Sequence, residues 1–279
     1  MPKLRDPVLV ASFDGWVDAA EVASQAVAQI AGGGDVIASF DPDALFDYRS
    51  RRPILDVHDG RLSELRWPEL AIRHASLGDR DVLVFSGAEP DLRWRELTTD
   101  VAELAGQLGV AQWVSLGAVP AAVPHTRPVP VMATASQDGL LGPDALPGPE
   151  GLLRVPSAAV SAMEMAVTAA GIPAVGFFAQ VPPYASVGYA AASLALLDRL
   201  GHHLGVGLDT GDLVEEERGQ RARYDAALAE DAVLRETVAR LEAMVGGLED
   251  GEQLPSGDEL AREIQRFLRR HTDGESEGR

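Results

Sequence analysis

The sequence predicts an α/β fold, a three-layer α/β/α arrangement around a mostly parallel sheet, with a helical extension at the C-terminal side. Short apolar runs alternate with helix-length segments over residues 1–208. Several of these runs are apolar throughout, which is typical of strands that are covered on both faces. From residue 209 onward, charged helical segments replace the alternation. Together these observations indicate a doubly wound domain followed by a helical arm.

Local patterns predict six strands and four helices in the first part of the chain. Runs rich in Val, Ile and Phe predict strands at residues 7–13, 35–40, 81–87, 112–118, 129–135 and 174–181. Amphipathic segments that end in glycine predict helices at residues 18–33, 91–109, 157–171 and 186–205. Residues 54–67 contain two alternating runs around Asp59-Gly60, the signature of a β-hairpin. From this hairpin we expect the sheet to be mixed.

The remaining residues predict an acidic helical arm at 209–272 and a disordered tail at 273–279. Leu234, Val238 and Leu241 repeat at spacings of four and three, which gives the arm a short apolar seam. The tail contains no residue that a core would bury. Two interpretations of the arm stay open: it packs on its own domain of residues 1–208, or it contacts a second subunit or a partner.

Composition excludes several classes of function. The formal net charge of −19 opposes binding to nucleic acids and anionic membranes. The chain has no cysteine and a single lysine, Lys3, so thiolate nucleophiles, Cys-based zinc sites and Schiff-base lysines are excluded. We therefore expect no metal and no cofactor. The apolar stretches are shorter than a membrane span, and the sequence shows no sign of a signal peptide. We therefore expect a cytoplasmic location.

Polar side chains follow five of the predicted strands. In a doubly wound sheet, ligands bind outside the carboxyl ends of the strands, so these loops are the places to search. Acids, arginines and aromatic residues on them are expected to converge on one edge of the sheet. The candidate ligand-binding residues are Asp14, Trp16, Asp18, Arg49, Glu89, His125, Arg127 and Tyr184.

Each candidate also has a structural interpretation. Asp14, Asp18 and Glu89 precede predicted helices and are suited to cap them. Arg127 is suited either to hold an anion or to pair with a loop acid. For His125, positioning or hydrogen bonding is favoured over general-base catalysis, because no nucleophile can be identified beside it in the sequence.

Five ordered motifs resemble a known family. They are "FDGWVDAAEVA", "YRSRRP", "GAEPDLRW", "GAVPAAVPHTRPVPV" and "QVPPYAS". In this order they resemble the PAC2 family, named after the proteasome assembly chaperones, and its actinobacterial members in particular. The resemblance covers roughly residues 5–205, with the arm as the actinobacterial extension. Val17 departs from it, because the family pattern has Asn there.

The resemblance implies a domain shaped like the purine nucleoside phosphorylases and a homo-oligomer. Two functions are compatible with it. The first is a non-catalytic assembly chaperone or interaction protein with proteasome-related partners, which the absence of catalytic motifs favours. The second is a nucleoside- or anion-binding protein, or an enzyme of phosphorylase or hydrolase type, that uses a pocket at the strand ends.

Overall fold

A computed structural model describes residues 4–78, 80–149 and 151–249 of the 279-residue chain. Its strands are β1 (Val8–Asp14), β2 (Val36–Ser39), β3 (Ile54–His58), β4 (Arg61–Arg66), β5 (Leu70–Leu77), β6 (Arg80–Ala88), β7 (Gln112–Pro120), β8 (Val131–Ala135), β9 (Leu146–Pro147) and β10 (Ala174–Val181). Its helices are α1 (Val22–Ala31), α2 (Pro42–Leu45), α3 (Trp94–Gln107), α4 (Ala159–Ala169), α5 (Ala190–Leu204), α6 (Leu213–Glu230) and α7 (Ala232–Glu249).

The central sheet contains eight strands in the order β2-β5-β6-β1-β7-β10-β8-β9. Strands β6, β1, β7 and β10 form a parallel block at its centre. Strands β5 and β8 run antiparallel to the block at either side, and β2 pairs antiparallel with β5. The predicted α/β fold with a mixed, mostly parallel sheet is confirmed. The further likeness to purine nucleoside phosphorylases stays a prediction.

Helices cover both faces of the sheet. On one face, α1 and α5 pack on Val8, Val10 and neighbouring strand residues, and on the other face α3 and α4 pack on Leu9, Ala11 and Trp113. Successive residues of a strand point to opposite faces, so each position of β1 up to Phe13 is buried. This double burial is why the central strands are mostly apolar at successive positions rather than alternating.

Two details of the sheet differ from the sequence-based expectation. The hairpin β3–β4 forms, but it makes a separate two-stranded sheet, and the central sheet is mixed because of β2, β5 and β8. Strand β5 was not predicted. Only its first three residues are buried, and the polar residues Arg73, His74 and Ser76 interrupt its apolar pattern.

Helix α1 begins at Val22, four residues later than the predicted start at Asp18. Residues 19–21 form a single 3₁₀ turn in which Ala20 and Glu21 have positive φ angles of 55° and 56°. At the other end, Gly32 has a φ of 47°, which glycine adopts readily, and it ends the helix as predicted.

The described part of the arm contacts its own chain. Helix α6 packs on α5, and α7 packs on α6. Val238 and Leu241 of the predicted seam are buried, Leu234 is half-buried, and Leu213 at the start of α6 is buried as well. Residues 250–272 of the predicted arm and the predicted disordered tail lie outside the described residues, and the domain division at residue 208 stays a prediction. Within residues 4–78, 80–149 and 151–249, no helix is long and apolar enough to cross a membrane.

Candidate functional site

The loops that carry the candidate residues meet at the carboxyl edge of the sheet. Strands β1, β6, β7 and β10 are parallel, so their carboxyl ends share this edge. Strand β2 is related to β6 by two successive antiparallel pairings through β5, and it therefore ends at the same edge. Most of the candidates lie in two groups, one around Glu89 and one around His125, whereas Asp18 and Arg49 belong to neither group.

Glu89 joins three elements in the first group. Its carboxylate accepts hydrogen bonds from the backbone N–H of Trp16 at 2.9 Å and of Ala159, the first residue of α4, at 2.7 Å. Its own N–H donates to the carbonyl of Asp14 at 3.0 Å. A Cβ at Gly15 would lie 2.3 Å from Glu89 Oε2, so only glycine fits beside this carboxylate. The negative charge also suits the positive end of the α4 dipole.

Asp14 belongs to the same group and is bound by Arg51, whereas the ligand-binding candidate Arg49 lies outside the group. Arg51 donates to the Asp14 carboxylate at 2.9 Å and to the Asp14 carbonyl at 3.0 Å. Arg49 instead forms a bidentate salt bridge with Asp47 in its own loop, and the Arg49 side chain is 88% exposed. This pairing lowers the pKa of Asp47. The side chain of Trp16 is 64% exposed at the same edge.

Asp18 supports the start of α1. Its carboxylate is buried and accepts hydrogen bonds from the backbone N–H of Ala23 at 2.7 Å and from the backbone and hydroxyl of Ser24. Burial raises the pKa of Asp18, and these hydrogen bonds oppose the rise. The contacts are those of a helix cap, which is the structural interpretation of this acid.

His125 and Tyr184 form the centre of the second group. The Tyr184 hydroxyl lies 2.8 Å from the backbone nitrogen of His125 and 2.7 Å from Nδ1 of its ring. The hydroxyl accepts the backbone N–H, so we assign its single proton to the bond with Nδ1. In the neutral ring, the proton then resides on Nε2.

The Nε2 atom of His125 is buried and has no hydrogen-bond partner among the described residues. The nearest acid, Asp225 of α6, has its Oδ1 at 3.6 Å, which is too far for a hydrogen bond. Burial lowers the pKa of His125, and the negative charge of Asp225 partly opposes this effect. At neutral pH the ring is therefore neutral, with its Nε2–H facing the arm.

Two aromatic rings contact His125, and a third ring lies next to one of them. The ring centroid of His125 lies 5.6 Å from that of Tyr184 and 5.1 Å from that of Tyr224 in α6. Tyr189, which precedes α5, has its ring centroid 6.2 Å from that of Tyr224. Burial raises the pKa of Tyr184 to about 12 and also raises the pKa of Tyr189. These two phenols stay neutral at physiological pH, and their hydroxyls can donate as well as accept hydrogen bonds.

A cavity of about 480 Å³ opens beside His125. One wall is the loop of residues 125–129, which includes Arg127, and the other walls come from α5 and from Glu217, Gln220 and Arg221 of α6. Arg127 is exposed, and the proposal that it holds an anion stays a prediction. Sequence reasoning missed the contribution of α6. The sequence feature that could have indicated this contribution is Tyr224, an isolated aromatic residue in a strongly charged helix.

The proline-rich loop is also held directly by the arm. Thr126 Oγ1 donates a hydrogen bond of 2.6 Å to Glu242 of α7. Gln220 accepts a hydrogen bond from the backbone N–H of Ala190 at 3.0 Å and donates one to the carbonyl of Gly188. The second group is therefore an interface between the strand-end loops and the arm. Over residues 4–78, 80–149 and 151–249, no cluster of three or more His, Asp or Glu side chains is placed to hold a metal ion.

Comparisons with known proteins identify the family. The model of the PAC2 family matches residues 12–228. A Mycobacterium tuberculosis protein of unknown function, Rv2714, is 33% identical with a TM-score of 0.83, covering 90% of this chain and 87% of that one. The M. tuberculosis proteasome-assembly chaperone homologue Rv2125 is 36% identical with a TM-score of 0.75, covering 83% and 99%.

A PAC2 family protein from Streptomyces avermitilis is 33% identical with a TM-score of 0.72, covering 84% of this chain and 100% of that one. A search of proteins with curated functions found no match. The family match spans most of the chain, extends from β1 into α6, and includes every loop of the carboxyl edge described above. The chain therefore belongs to the PAC2 family.

Proposed function

We propose that this chain is a non-catalytic, assembly-chaperone-like protein that works by binding other proteins. Proteasome-related proteins are the expected partners, and a second copy of the chain is expected as well. The similarity to a proteasome-assembly chaperone homologue over 83% of this chain supports the choice of partner. We expect the protein to act in the cytoplasm.

The observation that carries this proposal is the hairpin β3–β4. Leu55 pairs with Leu65 and Val57 pairs with Leu62, and these four side chains share one face because Ser63 is bulged out of the register. They are between 45% and 74% exposed. The opposite face carries charged pairs such as Asp56 with Glu64.

An apolar hairpin face that is exposed to water is stabilised when another surface buries it. A two-stranded hairpin on its own is marginally stable, and contiguous exposed apolar surface in a water-soluble chain usually marks an interaction site. The apolar face of β3–β4 bears no charge, whereas the chain as a whole carries −19. Two copies can therefore meet at this face without placing like charges in contact.

Multi-angle light scattering tests self-association through this face. The variant Leu62→Asp places a carboxylate on the apolar face and is expected to reduce the oligomer to a smaller species. His58→Asp is the matched control, because it adds an acid to the exposed opposite face of the same hairpin. The proposal of self-association fails if wild type is monomeric at micromolar concentration or if both variants have the wild-type mass.

The cavity beside His125 favours a second candidate function, the binding of a small molecule of nucleoside or anion type. Its lining combines Arg127 and Arg221 with aromatic rings and the buried Nε2–H of His125. Such a combination of apolar walls with a few convergent polar groups is typical of ligand sites.

Thermal shift assays with nucleosides and with inorganic phosphate test this candidate. A stabilisation that saturates with concentration and disappears in Arg221→Ala supports it. Equal melting temperatures with and without these compounds exclude them as ligands.

A further inference from the structure

The arm closes over the cavity through a small set of contacts around the proline-rich loop. Thr126 bonds to Glu242 of α7, and the Tyr224 hydroxyl accepts the backbone N–H of Ser186 at 3.1 Å. Because α6 forms one wall of the cavity, loss of these contacts would open it. This feature does not depend on the function proposed above.

His125 lies at the centre of these contacts and is almost completely enclosed. Its side chain is 2% exposed, with the ring held between Tyr184 and Tyr224. Nδ1 accepts the proton of Tyr184, so a second proton on the ring would displace the donor from this bond. Protonation would also bring a positive charge into an apolar environment, which is costly unless an acid compensates it.

Charged groups on both helices of the arm act on the ring, and their effects partly cancel. Helix α6 contributes Asp225 and Arg221 and α7 contributes Glu242, while Glu217 and Arg127 line the adjoining cavity. Asp225 is nearest at 3.6 Å from Nε2, but its side chain is 58% exposed and stays hydrated. Tyr184 and Tyr189 are neutral, because burial raises the pKa of each. Among the residues that the structure describes, no acid therefore makes the close hydrogen-bonded pair that a buried imidazolium requires.

We propose that His125 makes closure of the arm pH-dependent, so that the neutral ring keeps the arm closed over the cavity and the protonated ring releases it. The direction of this pH dependence follows from the thermodynamic linkage between protonation of His125 and closure of the arm. The pKa of His125 is lowered by burial in the closed state, so closure is fully stabilised above the ordinary histidine pKa of about 6.5 and weakens as the pH falls below it. Between this ordinary pKa and the lower pKa of the closed state, the closure equilibrium falls by up to about tenfold per pH unit, and below the closed-state pKa it stays constant.

Hydrogen exchange of the full chain at pH 7.5 and pH 5.5, corrected for the intrinsic pH dependence of exchange, tests this proposal. Amides of α6 and α7 in the wild type are expected to lose protection at the lower pH, while those of the central strand β7 keep theirs. In His125→Gln, which keeps a hydrogen-bonding side chain without a titrating ring, protection of the arm is expected to be equal at the two pH values. His58→Gln on the exposed hairpin is the control and is expected to behave as wild type.

Asp225→Asn provides a second variant, on an exposed side chain whose change does not threaten folding. It removes the acid nearest to Nε2, which lowers the pKa of the closed state further, so the loss of protection at the lower pH is expected to be larger than in the wild type. The proposal is overturned if protection of the arm in the wild type is the same at both pH values, if His125→Gln responds to pH as the wild type does, or if Asp225→Asn loses less protection at pH 5.5 than the wild type.

Discussion

Glu89 provides the sharpest test of how the carboxyl edge is built. Its two carboxylate oxygens accept the backbone N–H groups of Trp16 and Ala159 at 2.9 and 2.7 Å. In Glu89→Gln, one oxygen becomes an NH₂ group, which cannot accept a hydrogen bond and would face another donor. The variant has nearly the same shape as the wild type, so the change isolates one charge-assisted hydrogen bond and the charge at the α4 N-terminus.

The loss of stability follows from this contact. A hydrogen bond to a charged group contributes about 1.5–3 kcal/mol, and part of that loss will be recovered because Glu89 is partly exposed to water. We expect the free energy of unfolding to fall by about 2 kcal/mol, which corresponds to a decrease in Tm of about 4–8 °C for a domain of this size.

Thermal and urea unfolding of Glu89→Gln, beside the control Glu103→Gln, measure this effect. Glu103 lies on an exposed position of α3, where removal of the charge is expected to change stability by less than about 0.5 kcal/mol. If the two variants are equally stable, Glu89 does not hold the three elements together, and a ligand-binding role becomes the better explanation of this acid.

Three further changes test the same region. Gly15→Ala places a Cβ 2.3 Å from Glu89 Oε2 and is expected to lower the Tm at least as much as Glu89→Gln; an unchanged Tm would mean that the loop can move freely. Asp18→Ala is expected to cost about 1 kcal/mol in urea unfolding and Asp18→Asn only a few tenths, because Asn also caps helices; equal losses would contradict the capping role. Tyr184→Phe leaves the backbone N–H of His125 without its acceptor and is expected to cost about 1–3 kcal/mol, and a stability equal to wild type would show that this contact is not maintained.

The sequence predicted the strands correctly where both faces of the sheet are buried, because such strands require apolar residues at successive positions. Strands such as β1 and β7 are apolar on both faces for most of their length, and this pattern predicted both the strands and the three layers. Strand β5 was missed for the opposite reason. Its second half is partly exposed, and Arg73 and His74 there reduce the apolar signal although the backbone pairs fully with β6.

The composition of the site was harder to predict than its place in the fold. The motif "YRSRRP" offered several arginines, and only the path of the loop determines that Arg51 reaches Asp14 whereas Arg49 turns back to Asp47. The partners of Glu89 are backbone N–H groups about 70 residues away in sequence, and backbone groups leave no signature in the side-chain pattern. Tyr224 and Asp225 reach His125 only because α6 folds back over the strand ends.

Native mass spectrometry of protein purified from its own host tests the central proposal, binding to other proteins, most directly. We predict masses of more than one copy of the chain, together with complexes that contain proteasome-related subunits, and fewer such complexes in Leu62→Asp than in His58→Asp. A spectrum with the single chain alone, under conditions that preserve other complexes of the host, would contradict the proposal.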